Sequence, residues 1–242
     1  WGKALRGTEK PDDVHYNISK VYATMLSRTS ESDALQMRDS AIVHIAKAVE
    51  IKPEPLYIQH KAELLYAAGD YASSFDCYLA LSKTNMGGAV TFVAASRCKE
   101  ALEEWDAAIA CMDSAVNAFG EETATFAAPY IINRAMLKQR AKRYREAVLD
   151  YNAYAKLLGN RMNSNFYYLR EQAEYSGKMY RLALADIDVA LALEPDNITF
   201  LIEKGRICYR VNMIDEALPV LAKAIAVAPE NPDAYYLMAR CQ

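Results

Sequence analysis

The chain has 242 residues, of which 52% are hydrophobic and 24% charged, with nine glycines and eight prolines, a balance that suits an all-helical protein with short turns. A net charge of −3 leaves no electrostatic footprint for nucleic acid or an anionic membrane surface. No apolar run approaches the roughly 18–20 residues that a membrane span needs, since the best stretch, 182–193, is broken by Asp186 and Asp188.

In chain order the pattern predicts six helical pairs at about 12–54, 55–88, 89–127, 128–163, 164–197 and 198–231, with half of a seventh at 232–242, all in one domain spanning 1–242. Among the early pairs, Tyr71 and Trp105, Ser74 and Ala108, and Leu81 and Ala115 recur 34 residues apart. The steps from Ala108 to Ala147 and from Ala147 to Ala183 are five and two residues longer, and that from Ala41 to Ser74 is one shorter. Slips of that size fit in a loop without disturbing the helices. The late pairs are the most regular: Ala183 and Ala217, Ala190 and Ala224, Pro195 and Pro229, and Asn197 and Asn231 all keep the 34-residue spacing. A fixed period of that length marks a solenoid built from one helix-turn-helix unit.

Each unit then has a first helix and a second. Ala183 and Ala190, like Ala217 and Ala224, lie two turns apart on one face of the second helix, where small side chains let the pair approach closely. Ala62, Ser96, Ala135, Gly205 and Ala239 are the matching small residues on the first helix. Ile45, Tyr78, Met112, Tyr151, Ile187 and Leu221 fill the space beside the crossing. Pro195 and Pro229 cannot continue a helix and end the second one.

With Tyr167, Tyr180, Ala183, Ile187, Ala190 and Pro195, then Gly205, Ala217, Leu221, Ala224 and Pro229 in register, the chain resembles the tetratricopeptide repeat family. The match is looser elsewhere: Glu171 stands where a small residue belongs, Leu81 and Tyr154 replace the second alanine, and Met86, Gly120 and Gly159 replace the terminal proline. The resemblance implies an all-α, right-handed α-solenoid of about six and a half repeats whose concave wall is made by the first helices.

Catalytic and metal signatures are missing. There is no G-x-S-x-G, no Gly-rich phosphate loop and no H-E-x-x-H, so no catalytic residue, cofactor or metal is predicted. Cys77, Cys98, Cys111, Cys208 and Cys241 are scattered and read as buried small hydrophobes, while His15, His44 and His60 fall in different helices without an i+4 partner. Asp186 and Asp188, and Glu103 and Glu104, read as solvated helix faces or first-turn residues. Asn17-Ile18-Ser19 and Asn197-Ile198-Thr199 fit the glycosylation pattern, which matters only in a glycosylating pathway.

Helical spacing projects a graded set of side chains onto the wall, beginning with Leu56, Gln59, Glu63 and Tyr66 and running through Arg97, Ile132, Met136 and Gln139 to Ile202. The candidate partner-binding residues are Arg97, Tyr168, Gln172, Tyr175, Arg206, Tyr209, Tyr236 and Arg240, with Lys223 on the convex face as their counterpart. Tyrosine and arginine offer large contact area with a polar or charged tip. They suit a peptide or protein segment with acidic and apolar residues, held by a non-catalytic scaffold or adaptor. The chaperone-tail clamp known in the resembling family is not completed: the nearest set, Arg97, Asn133, Asn165 and Leu169, lacks its paired basic residues. Trp1 is not a start methionine and Cys241-Gln242 stops within a repeat, so a trimmed leader and a continuing chain are both expected, and the compartment stays open. The alternative reading is a regulatory or sensory segment of a larger polypeptide. Tyr235, Leu237 and Met238 are expected to leave an apolar strip on the last half repeat through which copies self-associate.

Overall fold

The computed structural model describes residues 10–26, 31–159 and 162–242. Trp1 and residues 27–30 and 160–161 lie outside the described residues. Thirteen α-helices run through the rest, with no strand among the described residues. The helices divide between two compact units, residues 1–123 and 124–242.

The first unit contains α1 (Pro11–Met25), α2 (Glu31–Ile51), α3 (Pro55–Ala67), α4 (Tyr71–Leu81), α5 (Ala89–Ala101) and α6 (Trp105–Asn117), each packed on its neighbours in sequence. The second contains α7 (Ala128–Arg140), α8 (Tyr144–Leu157), α9 (Ser164–Ser176), α10 (Tyr180–Leu193), α11 (Ile198–Arg210), α12 (Ile214–Val227) and α13 (Pro232–Cys241), packed in the same way, with α13 also reaching α11. A 3-10 segment, Glu121–Ala127, takes up the extra residues of the 89–127 stretch.

The small residues sit where the helices cross. Ala183, Ala190, Ala217 and Ala224 are wholly buried, as are Ala62 and Ala135 on the facing helices. At Gly205 a Cβ would lie 2.5 Å from Leu221 Cδ2, so a side chain there would have to displace Leu221. Ala239, by contrast, is exposed on α13. Ile45, Met112, Tyr151, Ile187 and Leu221 fill the core beside the crossings.

Helix ends follow from local chemistry. Proline occupies the first helical position of α1, α3 and α13, where its missing N–H costs nothing. The Asn197 and Asn231 side chains accept from the first-turn amides of α11 and α13, which gives their 34-residue recurrence its physical reason. Five turns within helix pairs close identically: Asp70, Glu104, Arg143, Met179 and Met213 donate their N–H to the carbonyls of Leu65, Lys99, Lys138, Glu174 and Cys208, at 2.8–3.0 Å. The residue before each donor, Gly69, Glu103, Lys142, Lys178 or Asn212, has φ between 58° and 83°. This is the Schellman closure, here carried mostly by residues other than glycine.

Candidate functional site

In the second unit, α9, α11 and α13 open successive hairpins and bring the predicted arginines and tyrosines together. On α13 the Arg240 guanidinium donates through Nη2 and Nε to the Tyr209 hydroxyl, at 2.8 and 3.2 Å, and through Nη1 to Tyr236 Oη, at 2.8 Å. It also lies 5.0 Å from the Tyr209 ring centre and 5.7 Å from that of Tyr236. These contacts fix a long cation across two helices, although Tyr236 itself stays 58% exposed. One turn before Tyr209 on α11, Arg206 is half-exposed and pairs with Glu203 at 3.0 Å. Its charge reaches both Tyr168 and Tyr175 on α9. Tyr168 packs on Phe200 and is hydrogen-bonded by Gln172, while Tyr175 sits edge-on to Tyr180. Burial raises the hydroxyl pKa of both tyrosines. Seven of the eight predicted residues therefore belong to one surface of the second unit; Arg97 is exposed on α5, in the first.

Several expectations are corrected. Ile202 is in the core, not on the wall, and Gln139 is engaged by the Tyr151 hydroxyl at 3.0 Å. Lys223 is not an idle convex-face residue: its ammonium donates to the Pro195 carbonyl at 2.8 Å and pairs with Asp196. Leu237 is buried and Met238 packs on the same core, so of the expected strip on α13 only Tyr235 stays exposed.

Asp186 is no solvated carboxylate. It is buried and takes a two-pronged bond from Arg170, at 2.6 and 2.7 Å. Thirty-six residues earlier, Arg134 grips buried Asp150 in the same way, at 2.9 and 2.7 Å, with Lys138 adding a third contact at 2.8 Å. The two layers differ in balance. Where the earlier one has Lys138, the later has Glu174, and Glu171 fills the place of a small residue. Both glutamates are buried, and both carboxyl pKa values are pushed up to about 8, first by burial and then by neighbouring carboxylates.

A second polar cluster lies in the first unit, where helix packing gathers the three histidines that sequence distance kept apart. His15 and His44 meet at 2.8 Å between their Nδ1 atoms, and His60 Nε2 lies 3.2 Å from Ser19 Oγ. Ser19 is fully buried and donates to the Ala41 carbonyl at 2.8 Å, which ties down the hydroxyl. All three imidazole pKa values are lowered, in each case chiefly by burial. Among the described residues no group of three or more histidines, cysteines or acids could hold a metal ion. The cysteines are all free thiols there. No helix among them is long and apolar enough to cross a membrane.

Comparison with known proteins agrees with this architecture. Residues 176–241 match the family model described as tetratricopeptide repeat. No curated protein matches the chain. Among solved structures, it is similar to YrrB, described as a TPR protein with an unusual peptide-binding site, at 16% identity and TM-score 0.58 over 79% of this chain and 96% of that one. MamA gives 13% identity and TM-score 0.58 over 78% and 94%, and PilF of Pseudomonas aeruginosa gives 14% and 0.53 over 95% and 99%. At such identities the likeness is one of fold.

Proposed function

We propose that this chain, a tetratricopeptide repeat protein by its fold and by the sequence of residues 176–241, is a non-catalytic scaffold that holds a peptide or protein segment on the α9–α11–α13 face. The observation that carries the reading is the Arg240 guanidinium spread across Tyr209 and Tyr236, with Arg206 one turn before Tyr209 on α11. Preorganised side chains lose little entropy on binding, and a guanidinium that donates three of its five N–H groups to phenol oxygens keeps two for a carboxylate. The rings offer apolar area to the ligand's neighbouring residues. An extended or helical segment with acidic and apolar side chains fits that chemistry. The peptide-binding site ascribed to YrrB supports a peptide ligand on this fold. A photo-reactive amino acid at position 209, introduced in the cells that make the protein, tests the reading. It should yield a discrete adduct with a polypeptide, and the same group at exposed Arg181 on α10 should not; adducts from 181 alone would place the interaction elsewhere.

A further inference from the structure

The layer between α9, α10 and α11 holds more carboxylates than the cations around it can neutralise. Glu171 is 1% exposed and Glu174 3%. Neither Glu171 oxygen, nor Oε2 of Glu174, has a hydrogen-bond partner. On α9 itself the facing cation is Arg170, whose guanidinium is committed to Asp186 of α10 and to Asn152 of α8 and stays 4.0 Å from Glu174 Oε1. From α10 the facing charge is Asp186, and from α11 Glu203 and Arg206, already paired at 3.0 Å. The homologous layer on α7 and α8 instead gathers two cations, Arg134 and Lys138, on the carboxylate of Asp150. A buried, unpaired carboxylate is among the most costly groups a core can contain, whereas the neutral acid is tolerated and can donate.

We propose that Glu171 and Glu174 form a proton-binding site in the second unit, carried as neutral carboxylic acids in the folded protein at neutral pH. Each takes one proton from water on folding and returns it on unfolding or alkalinisation, with an O–H bond as the only bond made or broken. Neutral Glu174 also has a donor for Asp186, its hydrogen-bond partner across the layer. The site has a consequence for the binding face. When Glu171 ionises it competes with Glu203 for Arg206, so an acidic ligand is held better on the acid side of the transition; this consequence rests on the binding face proposed above, and the proton site does not.

The test needs no ligand. Side-chain carboxyl carbons followed by NMR in the intact chain should show two glutamates that stay protonated well above the ordinary carboxylate range. Urea unfolding should release about two protons per molecule from this pair near pH 7. Glu171→Gln and Glu174→Gln should raise the unfolding midpoint at pH 8.5, with little change at pH 5; Glu230→Gln, an exposed control, should do neither. All glutamates titrating in the ordinary range would overturn the proposal, and the wild-type titration decides it even if a variant does not fold. Normal glutamate titration with ligand still lost on changing Arg206 would remove the proton site and leave the binding face standing; the converse would do the reverse.

Discussion

At the scale of the residue, the fold rests on positions where nothing larger than a methyl group fits. Ala190 and Ala224 are wholly buried where helices of a pair cross, so Ala190→Leu or Ala224→Leu should cost about 1–3 kcal/mol through overpacking, and unchanged denaturant midpoints would show that the crossings lie elsewhere. Gly205 gives a sharper case because two effects oppose. Alanine gains about 1 kcal/mol of helix propensity over glycine, but its Cβ would meet Leu221 at Cδ2 and at Cγ, 2.5 and 2.7 Å away, and the overpacking costs about 1–3 kcal/mol. Gly205→Ala should therefore be destabilising, and Leu221→Ala should cost less in that background than alone; additive effects in the double-mutant cycle would refute the contact. The alanines and the recurring asparagines were legible as a period. That the asparagines cap helices emerges only when the first-turn amides are located.

Between elements, the sequence disclosed less. The five identical turns carry little signal in the sequence because four of their left-handed residues are Glu103, Lys142, Lys178 and Asn212, where a C-terminal helix signal would ordinarily be glycine. The buried ion pairs are hidden from helical periodicity because partners 16 residues apart share no helix, although Arg134 with Asp150 and Arg170 with Asp186 keep the same spacing. That recurrence sets Asp186 apart from a solvated face. The two layers should respond differently to the same change. Asp150→Asn removes the carboxylate on which mostly buried Arg134 and Lys138 converge and should cost about 3 kcal/mol. Asp186→Asn removes one charge from a carboxylate-rich cluster and should cost less; equal losses in chemical denaturation would contradict the imbalance.

For the whole molecule, the two units should respond to pH with opposite signs. In the first, His15, His44 and His60 have folded pKa values below the usual 6.5, so folding favours the neutral rings, and stability present above pH 6.5 is lost as the pH falls through that value and the lowered ones. In the second, Glu171 and Glu174 are raised from 4.5 to about 8, so stability is full below 4.5 and is lost as the pH rises toward 8. Hydrogen exchange corrected for intrinsic rates should show α1–α3 losing protection at pH 5 and α9–α11 losing it at pH 8.5. A common trend in both units would contradict this.

The helical class was legible because a 34-residue period leaves one architecture to choose. The proposed face was legible only in outline: i, i+4, i+7 spacing aligns Tyr168, Gln172 and Tyr175 on α9, but Ile202 in the same pattern on α11 is buried, a difference that spacing alone does not encode. Calorimetry of the cross-linked partner, once identified, against wild type and three variants is the most direct test of that face. The account predicts that Arg206→Ala and Tyr209→Ala each weaken binding by about 1–2 kcal/mol or more with helicity unchanged, while Arg181→Ala on the exposed side of α10 binds as wild type. Equal affinity across all three variants would contradict it.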